Sequence, residues 1–266
     1  MRFLTATLLL GGAISASAAD YTTYIGDANE YHVTAIAAGS GGNTYVTGSR
    51  SPAADAFVAK LDTSGNPTLL ATLSASSPVS ANGIAVDSSA NIYIVGATTS
   101  SDFPLLNPLQ SVSAPRGTGF LVKFEPDGKM LYSTFLGGTT GASGLYSVTV
   151  DSVGDIYVTG WTSASDYPHT PGLPADAVFA SYYSGVFFAK IASAGDKILY
   201  AGVISTRDHA CGSGSTCFLS PISTFGAAIA VDPTGAAYIA GNTYGAGVTG
   251  TPGALRTKGI GALSPK

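Results

Sequence analysis

Charge is scarce in this chain. Only 11% of its 266 residues are Asp, Glu, Lys or Arg, and the net charge is −4. A nucleic-acid partner needs a basic stripe to neutralise phosphates, and no such stripe exists here. Histidine is limited to His32, His169 and His209, too scattered to read as a metal triad. Cysteine is limited to Cys211 and Cys217 in the stretch "CGSGSTC". With only His209 at a suitable ligand spacing, this pair predicts a local disulfide rather than a metal or redox site, provided the compartment is oxidising. Closing so short a loop contributes roughly 2 kcal/mol, mainly by restricting the unfolded chain. There is no G-x-S-x-G elbow and no H-E-x-x-H motif, and no Ser–His–Asp triad can be assembled from position. Nothing implies a metal or a cofactor.

Long apolar runs are also missing, except at the start. Arg2 is followed by an apolar stretch from Phe3 to Ile14 and by Ala16-Ser17-Ala18. A positive residue, a core of about a dozen apolar residues and a small-x-small site read as a secretory signal over 1–18, with the mature chain starting at Ala19 or Asp20. The run is short of the ~18 or more residues needed to span a bilayer. No Cys follows it to carry a lipid. The expectation is therefore a secreted protein, extracellular or periplasmic, with no membrane span after cleavage.

What is abundant points to β-structure. Hydrophobic residues make up 45% of the chain, enough for a core and against disorder, with 34 Gly and 14 Tyr. Gly-rich turns separating runs of Val, Ile, Thr and Tyr predict an all-β chain. One pattern recurs four times: "IAAGSGGNTYVTG" (36–48), "IAVDSSANIYIVG" (84–96), "VTVDSVGDIYVTG" (148–160) and "IAVDPTGAAYIAG" (229–241). Each is a β-hairpin with Gly and Asx turn chemistry. After the first three copies come "AFVAKLDTSGN" (56–66), "GFLVKFEPDGK" (119–129) and "VFFAKIASAGD" (186–196), then "PTLLATL" (67–73), "MLYSTFLGG" (130–138) and "ILYAGVI" (198–204). Each repeat thus holds four antiparallel strands, a to d, as a propeller blade does.

The combination of "DSVGDIYVTG" (151–160), "SDFP" (101–104), "FVAKLD" and "LYSTFLGG" resembles the SBBP family of bacterial β-propeller repeats. The resemblance covers nearly all of the mature chain. It implies a β-propeller and fixes no biochemical role. The expected blades are approximately 31–79, 80–143, 144–224 and 225–266, with 21–26 as an orphan outer strand. Two departures stand out: Gly39 replaces the Asp found at 87, 151 and 232, and the fourth copy lacks an "FVAK" segment. Either four blades close as a small ring, or the chain is the front part of a larger propeller.

The strand-b tyrosines, Tyr45, Tyr93, Tyr157 and Tyr238, lie 48, 64 and 81 residues apart. The growth falls in the b–c loops and in the connection between Ile204 and Gly226. Strand alternation places b–c and d–a connections on one face, so this long-loop face is the expected interaction surface. Its candidate ligand-binding residues are Arg116, Trp161, Asp166, Tyr167, His169, Tyr182, Tyr183, Arg207 and His209, with Asp208 beside them. Exposed aromatics with few charges suit stacking on sugar rings or peptide, and they equally suit covering the loop's own small core. Asp102 and Asp166 are expected to cap turns while Phe103 and Tyr167 pack between blades. The Asp–Gly turns supply too few carboxylates for calcium. Lys60, Lys123 and Lys190 are expected to be solvated. These observations predict a non-catalytic binding or structural scaffold for a glycan or surface protein. The alternatives are an extracellular lyase or hydrolase with its site on the long-loop face, and a fragment of a larger cell-surface protein.

Overall fold

Alternation of apolar and small residues between Gly- and Asp-containing turns yields strands of seven or eight residues throughout. The computed structural model describes residues 22–52, 54–173, 184–204 and 224–243. The expected signal segment 1–18, Tyr21, Tyr182, Tyr183, Arg207, Asp208, His209 and the Cys211–Cys217 pair lie outside the described residues. The first blade comprises β1 (Tyr31–Ala38), β2 (Thr44–Arg50), β3 (Asp55–Leu61) and β4 (Pro67–Leu73). The second has β5 (Val79–Val86), β6 (Ile92–Thr98), β7 (Thr118–Phe124) and β8 (Met130–Leu136). The third has β9 (Ser143–Val150), β10 (Ile156–Thr162), β11 (Gly185–Ile191) and β12 (Ile198–Ile204). The fourth shows the hairpin β13 (Thr224–Val231) and β14 (Ala237–Thr243). Each sheet is an antiparallel meander in chain order.

The first strand of each blade lies across the face of the blade before it. β5 packs over β1, β2 and β3; β9 packs over β5, β6 and β7; β13 packs over β9, β10 and β11. The apolar core therefore sits between blades. One layer joins Tyr45, Val58 and Leu73 to Ile84, Ile94, Phe120 and Phe135. The next joins Tyr93, Val95 and Leu121 to Leu145, Val158, Phe187 and Ile191. Strands b and c are covered on both faces, which explains why their sequences read as nearly continuous apolar runs. The sheets succeed one another as propeller blades. Among the described residues β13–β14 make no extensive packing with β1–β4, so the described sheets form an open arc.

Every strand a carries a β-bulge at the same place against strand b: at Thr34, Asn82, Tyr146 and Ala227. The bulge drives a strand-a carbonyl against the glycine that ends each "Y-x-x-G" run. A Cβ on Gly48, Gly96 or Gly160 would lie within about 2 Å of the carbonyl oxygen of His32, Ser80 or Gly144 respectively. The recurring glycine is thus a consequence of the bulge, the bulge being what curves the inner strand.

The segment expected as an outer strand, 21–26, forms no strand over its described part, 22–26. Ile25 instead packs on the cluster of Tyr31, Val46, Phe57 and Leu61. The sheet it would complete shows only the β13–β14 hairpin among the described residues.

Candidate functional site

At the a–b turn the repeated Asp organises its own hairpin. Asp151 Oδ1 accepts the backbone N–H of Val153 (3.1 Å) and Asp155 (2.9 Å), and Oδ2 accepts the Tyr157 hydroxyl (3.0 Å). Asp87 does the same with Ser89, Asn91 and Tyr93, and Asp232 with Thr234, Ala236 and Tyr238. Burial raises the Asp151 carboxyl, but the hydrogen bonds from Tyr157, Asp155, Lys190 and Val153 outweigh it and hold the group below the usual carboxylate range. Asp232 is drawn down to about 2, first by the Thr234 hydroxyl and then by the Ala236 amide.

In strand c, Lys190 and Lys123 face these tyrosines across the sheet rather than solvent. Lys190 pairs with Tyr157, Lys123 with Tyr93 and Lys60 with Tyr45. The Lys190 ammonium sits 4.9 Å from the Tyr157 ring centroid and 3.3 and 3.0 Å from the Asp151 and Asp155 carboxylates. Contact with the Tyr157 hydroxyl, then Asp155 and Asp151, raises its pKa despite burial. Lys123 lies 5.0 Å from the Tyr93 centroid and donates to the Ser193 carbonyl of the next blade (3.2 Å). Burial lowers its pKa, with Asp87 opposing. The expectation of solvated lysines fails for Lys123 and Lys190, because strand c lies inside the sheet, where their ammonium groups find aromatic rings and a carbonyl or carboxylates.

On the opposite face, the "SD[FY]P" aspartates tie blades together. Asp166 follows β10 and accepts the backbone N–H of Thr139 (2.9 Å) and Thr140 (2.9 Å), and the Thr140 hydroxyl (2.7 Å). Thr139 and Thr140 belong to the d–a connection that enters the same blade from the second one. Asp102 follows β6 and clamps Ser76 of the preceding d–a connection in the same way. Burial raises the Asp166 carboxyl, yet the Thr139 and Thr140 donors hold it well below the ordinary range. Phe103 is buried against Phe120 (4.6 Å) and Phe135 (5.8 Å). These contacts place the b–c and d–a connections on one face.

The other candidates are dispersed on that face. Trp161 is part of β10 rather than of the loop after it; the strand continues to Thr162, so its indole lies half-buried beside Gly144. Tyr167 packs against the core between the second and third blades and meets His169 edge-on at 6.3 Å. His169 is exposed and its Nε2 lies 3.2 Å from the Leu173 carbonyl. Arg116 is exposed in the turn before β7. The structure thus brings Asp166, Tyr167 and His169 to one short segment, separate in sequence and blade from Arg116.

The long b–c loops return along the outer edge of their own blade. Leu106 and Ser133 exchange backbone hydrogen bonds (3.1 and 2.9 Å), Phe135 donates to the Gln110 carbonyl (3.2 Å), and Gln110 donates to the Thr134 hydroxyl (3.0 Å). In the third blade Thr170 donates to the Ala201 carbonyl (2.9 Å) and accepts from its N–H (3.0 Å). The inserted residues therefore cover strand d, a role that loop length alone does not reveal.

Residues 68–104 and 132–168 each match the family model of the SBBP β-propeller repeat. The chain carries SBBP repeats. Each matched SBBP unit begins in strand d of one blade and ends at the "SD[FY]P" of the next, so it contains an aspartate clamp together with the connection that the clamp holds. No curated protein matches the chain. Among solved structures it is similar to a protein of unknown function from Bacteroides caccae, at 12% identity and a TM-score of 0.39, over 83% of this chain and 55% of that one. It is also similar to a protein from Lactobacillus plantarum, at 13% identity and a TM-score of 0.37, over 80% of this chain and 65% of that one. The chain thus spans less than two thirds of either.

Proposed function

We propose that this SBBP repeat protein is a secreted, non-catalytic scaffold that binds a surface polymer or protein through its long-loop face. The observation that carries the reading is the employment of the repeated ionisable residues. Asp87, Asp151 and Asp232 hold their turns, Asp102 and Asp166 clamp connections, and Lys190 is held by two carboxylates. Groups whose oxygens and protons are engaged by the fold are architectural. Binding is left to the residues that differ from blade to blade, on a rigid frame.

Expression of the full chain in a bacterial host tests the first half: the protein should be recovered outside the cytoplasm with a mass starting at Ala19 or Asp20. An uncut cytoplasmic product would overturn secretion. For the second half, the purified protein should sediment with bacterial envelope material while leaving polysaccharide and ester substrates unchanged. Turnover that disappears in His169→Ala, with the melting temperature retained, would make it an enzyme instead.

A further inference from the structure

In the second and third blades the long b–c connection covers the outer strand of its own sheet. In the first blade that connection is residues 51–54, against 99–117 and 163–184 in the others. Among the described residues nothing pairs with β4 on its outer side. Burial follows the same division. Ser133, Thr134 and Phe135 of β8 are fully buried, whereas Thr68, Leu69 and Thr72 of β4 are exposed, Leu69 by 44%. The register identifies the open hydrogen-bonding group. Phe135 lies opposite Phe120, and Thr72 lies opposite the equivalent Phe57. The Phe135 amide points away from β7 and donates to the Gln110 carbonyl (3.2 Å). The same register turns the Thr72 amide outward, where no described residue accepts it.

Folded proteins usually blunt such an edge with charge, proline or a bulge. β4 has Pro67 at its start and a bulge at Leu70, which shield its first half. Its second half has neither, and no charged residue stands between Asp62 and Asp87. We propose that β4 is a self-association edge: β4 of one copy pairs with β4 of a second copy, antiparallel about a two-fold axis near Thr72. The four strands of each first blade then join into one continuous sheet. A two-fold sets each residue against its own image or a near neighbour, and this edge suits that arrangement. Thr72 meets Thr72, a pair that can hydrogen-bond across strands, and Ala71 meets Leu73; the like charges that would make an edge repel its image are absent from β4. β4 runs from the c–d turn to the d–a connection, which lies on the long-loop face. Antiparallel pairing therefore turns the two long-loop faces to opposite ends of the dimer. On the scaffold reading above, on which this consequence alone rests, one dimer bridges two ligands instead of gripping one twice.

The secreted full-length product, with no ligand present, is followed by light scattering over a dilution series. Its mass should rise with concentration to about twice that of the monomer. Thr72→Pro removes an outward amide at an edge position where proline is tolerated, and Leu69→Lys adds charge at an exposed side chain. Both should melt within a few degrees of the wild type and stay monomeric where the wild type is dimeric. Leu106→Lys, at an exposed residue on the covered edge of the second blade, should dimerise as the wild type does. A monomer at every concentration overturns the proposal, as does association undiminished in Leu69→Lys or in a folded Thr72→Pro. Because no ligand enters the measurement, that failure leaves the scaffold reading in place.

Discussion

Gly39 shows how one side chain substitutes for another within a repeat. In the sister hairpins an Asp accepts the strand-b tyrosine hydroxyl. In the first blade the Tyr45 ring itself lies over the turn, and a Cβ on Gly39 would meet its Cε2 at 2.5 Å. Restoring the repeat with Gly39→Asp should therefore destabilise, by about 1–3 kcal/mol from overpacking, although it brings the sequence closer to its sisters. Urea unfolding measures this; a gain in stability would show that the ring moves aside freely. Gly96→Ala should cost a similar ~1–3 kcal/mol, because its Cβ would meet the Ser80 carbonyl and the Phe120 ring together. The clamp aspartate has its own signature. Asp166 is depressed in the folded state, so it contributes stability above the unfolded carboxylate value near ~3.9 and loses it as pH falls through its folded pKa. Asp87, Asp151 and Asp232 act in the same direction. The melting temperature should be level above about pH 5 and decline from about pH 4 towards pH 2. The deficit of Asp166→Asn against the wild type should shrink over that range. A deficit independent of pH would mean that the carboxylate charge is unimportant to the clamp.

At the scale of elements, the b–c loop is an edge guard. Replacing residues 105–113 with a connection as short as the one after β2 should expose the amide of Ser133, which Leu106 now accepts, and leave strand d open to pairing with another molecule. Faster hydrogen exchange at Ser133 and concentration-dependent light scattering are the expected results; unchanged exchange and scattering would assign the loop to another role. This is also where the sequence was partly legible. The repeats specified the strands, their order and the Asp turns, because those depend on local chemistry such as Asp-x-x-Gly and alternating Tyr, Val and Thr. Lys123 and Lys190 were misread because alternation says which side of a strand a residue faces, while whether that side meets water depends on the neighbouring blade. The Tyr–Lys pair recurring in the first three blades was the available signal. The strand-a bulges at Thr34, Asn82, Tyr146 and Ala227 were hidden for another reason: a bulge shifts the register by one residue, which shows only once the pairing is known.

At the scale of the molecule, one residue type takes different values by position in the arc. Tyr157 is fully buried beneath the fourth hairpin and its hydroxyl lies 3.3 Å from the Gly235 carbonyl, whereas the equivalent Tyr238 is 61% exposed. Tyr157→Ala should cost about 3–5 kcal/mol and Tyr238→Ala well under ~1 kcal/mol. Denaturant titration of both variants measures the difference. Equal costs would mean that Tyr238 is covered in solution, by another part of the chain or by another molecule.

The aspartate clamp has a consequence for how such a protein lengthens. Asp102 and the Ser76 it holds fall inside one matched repeat, and Asp166 with Thr139 and Thr140 inside the other, although each unit straddles two sheets. The heritable module is therefore out of phase with the structural one. A tandem duplication that copies residues 68–131 would deliver a new sheet already equipped with the fastening to its predecessor. No second mutation would be needed to join it. Growth by copying then requires no invention at the seams, and the loops that guard the edges are free to diverge from one copy to the next.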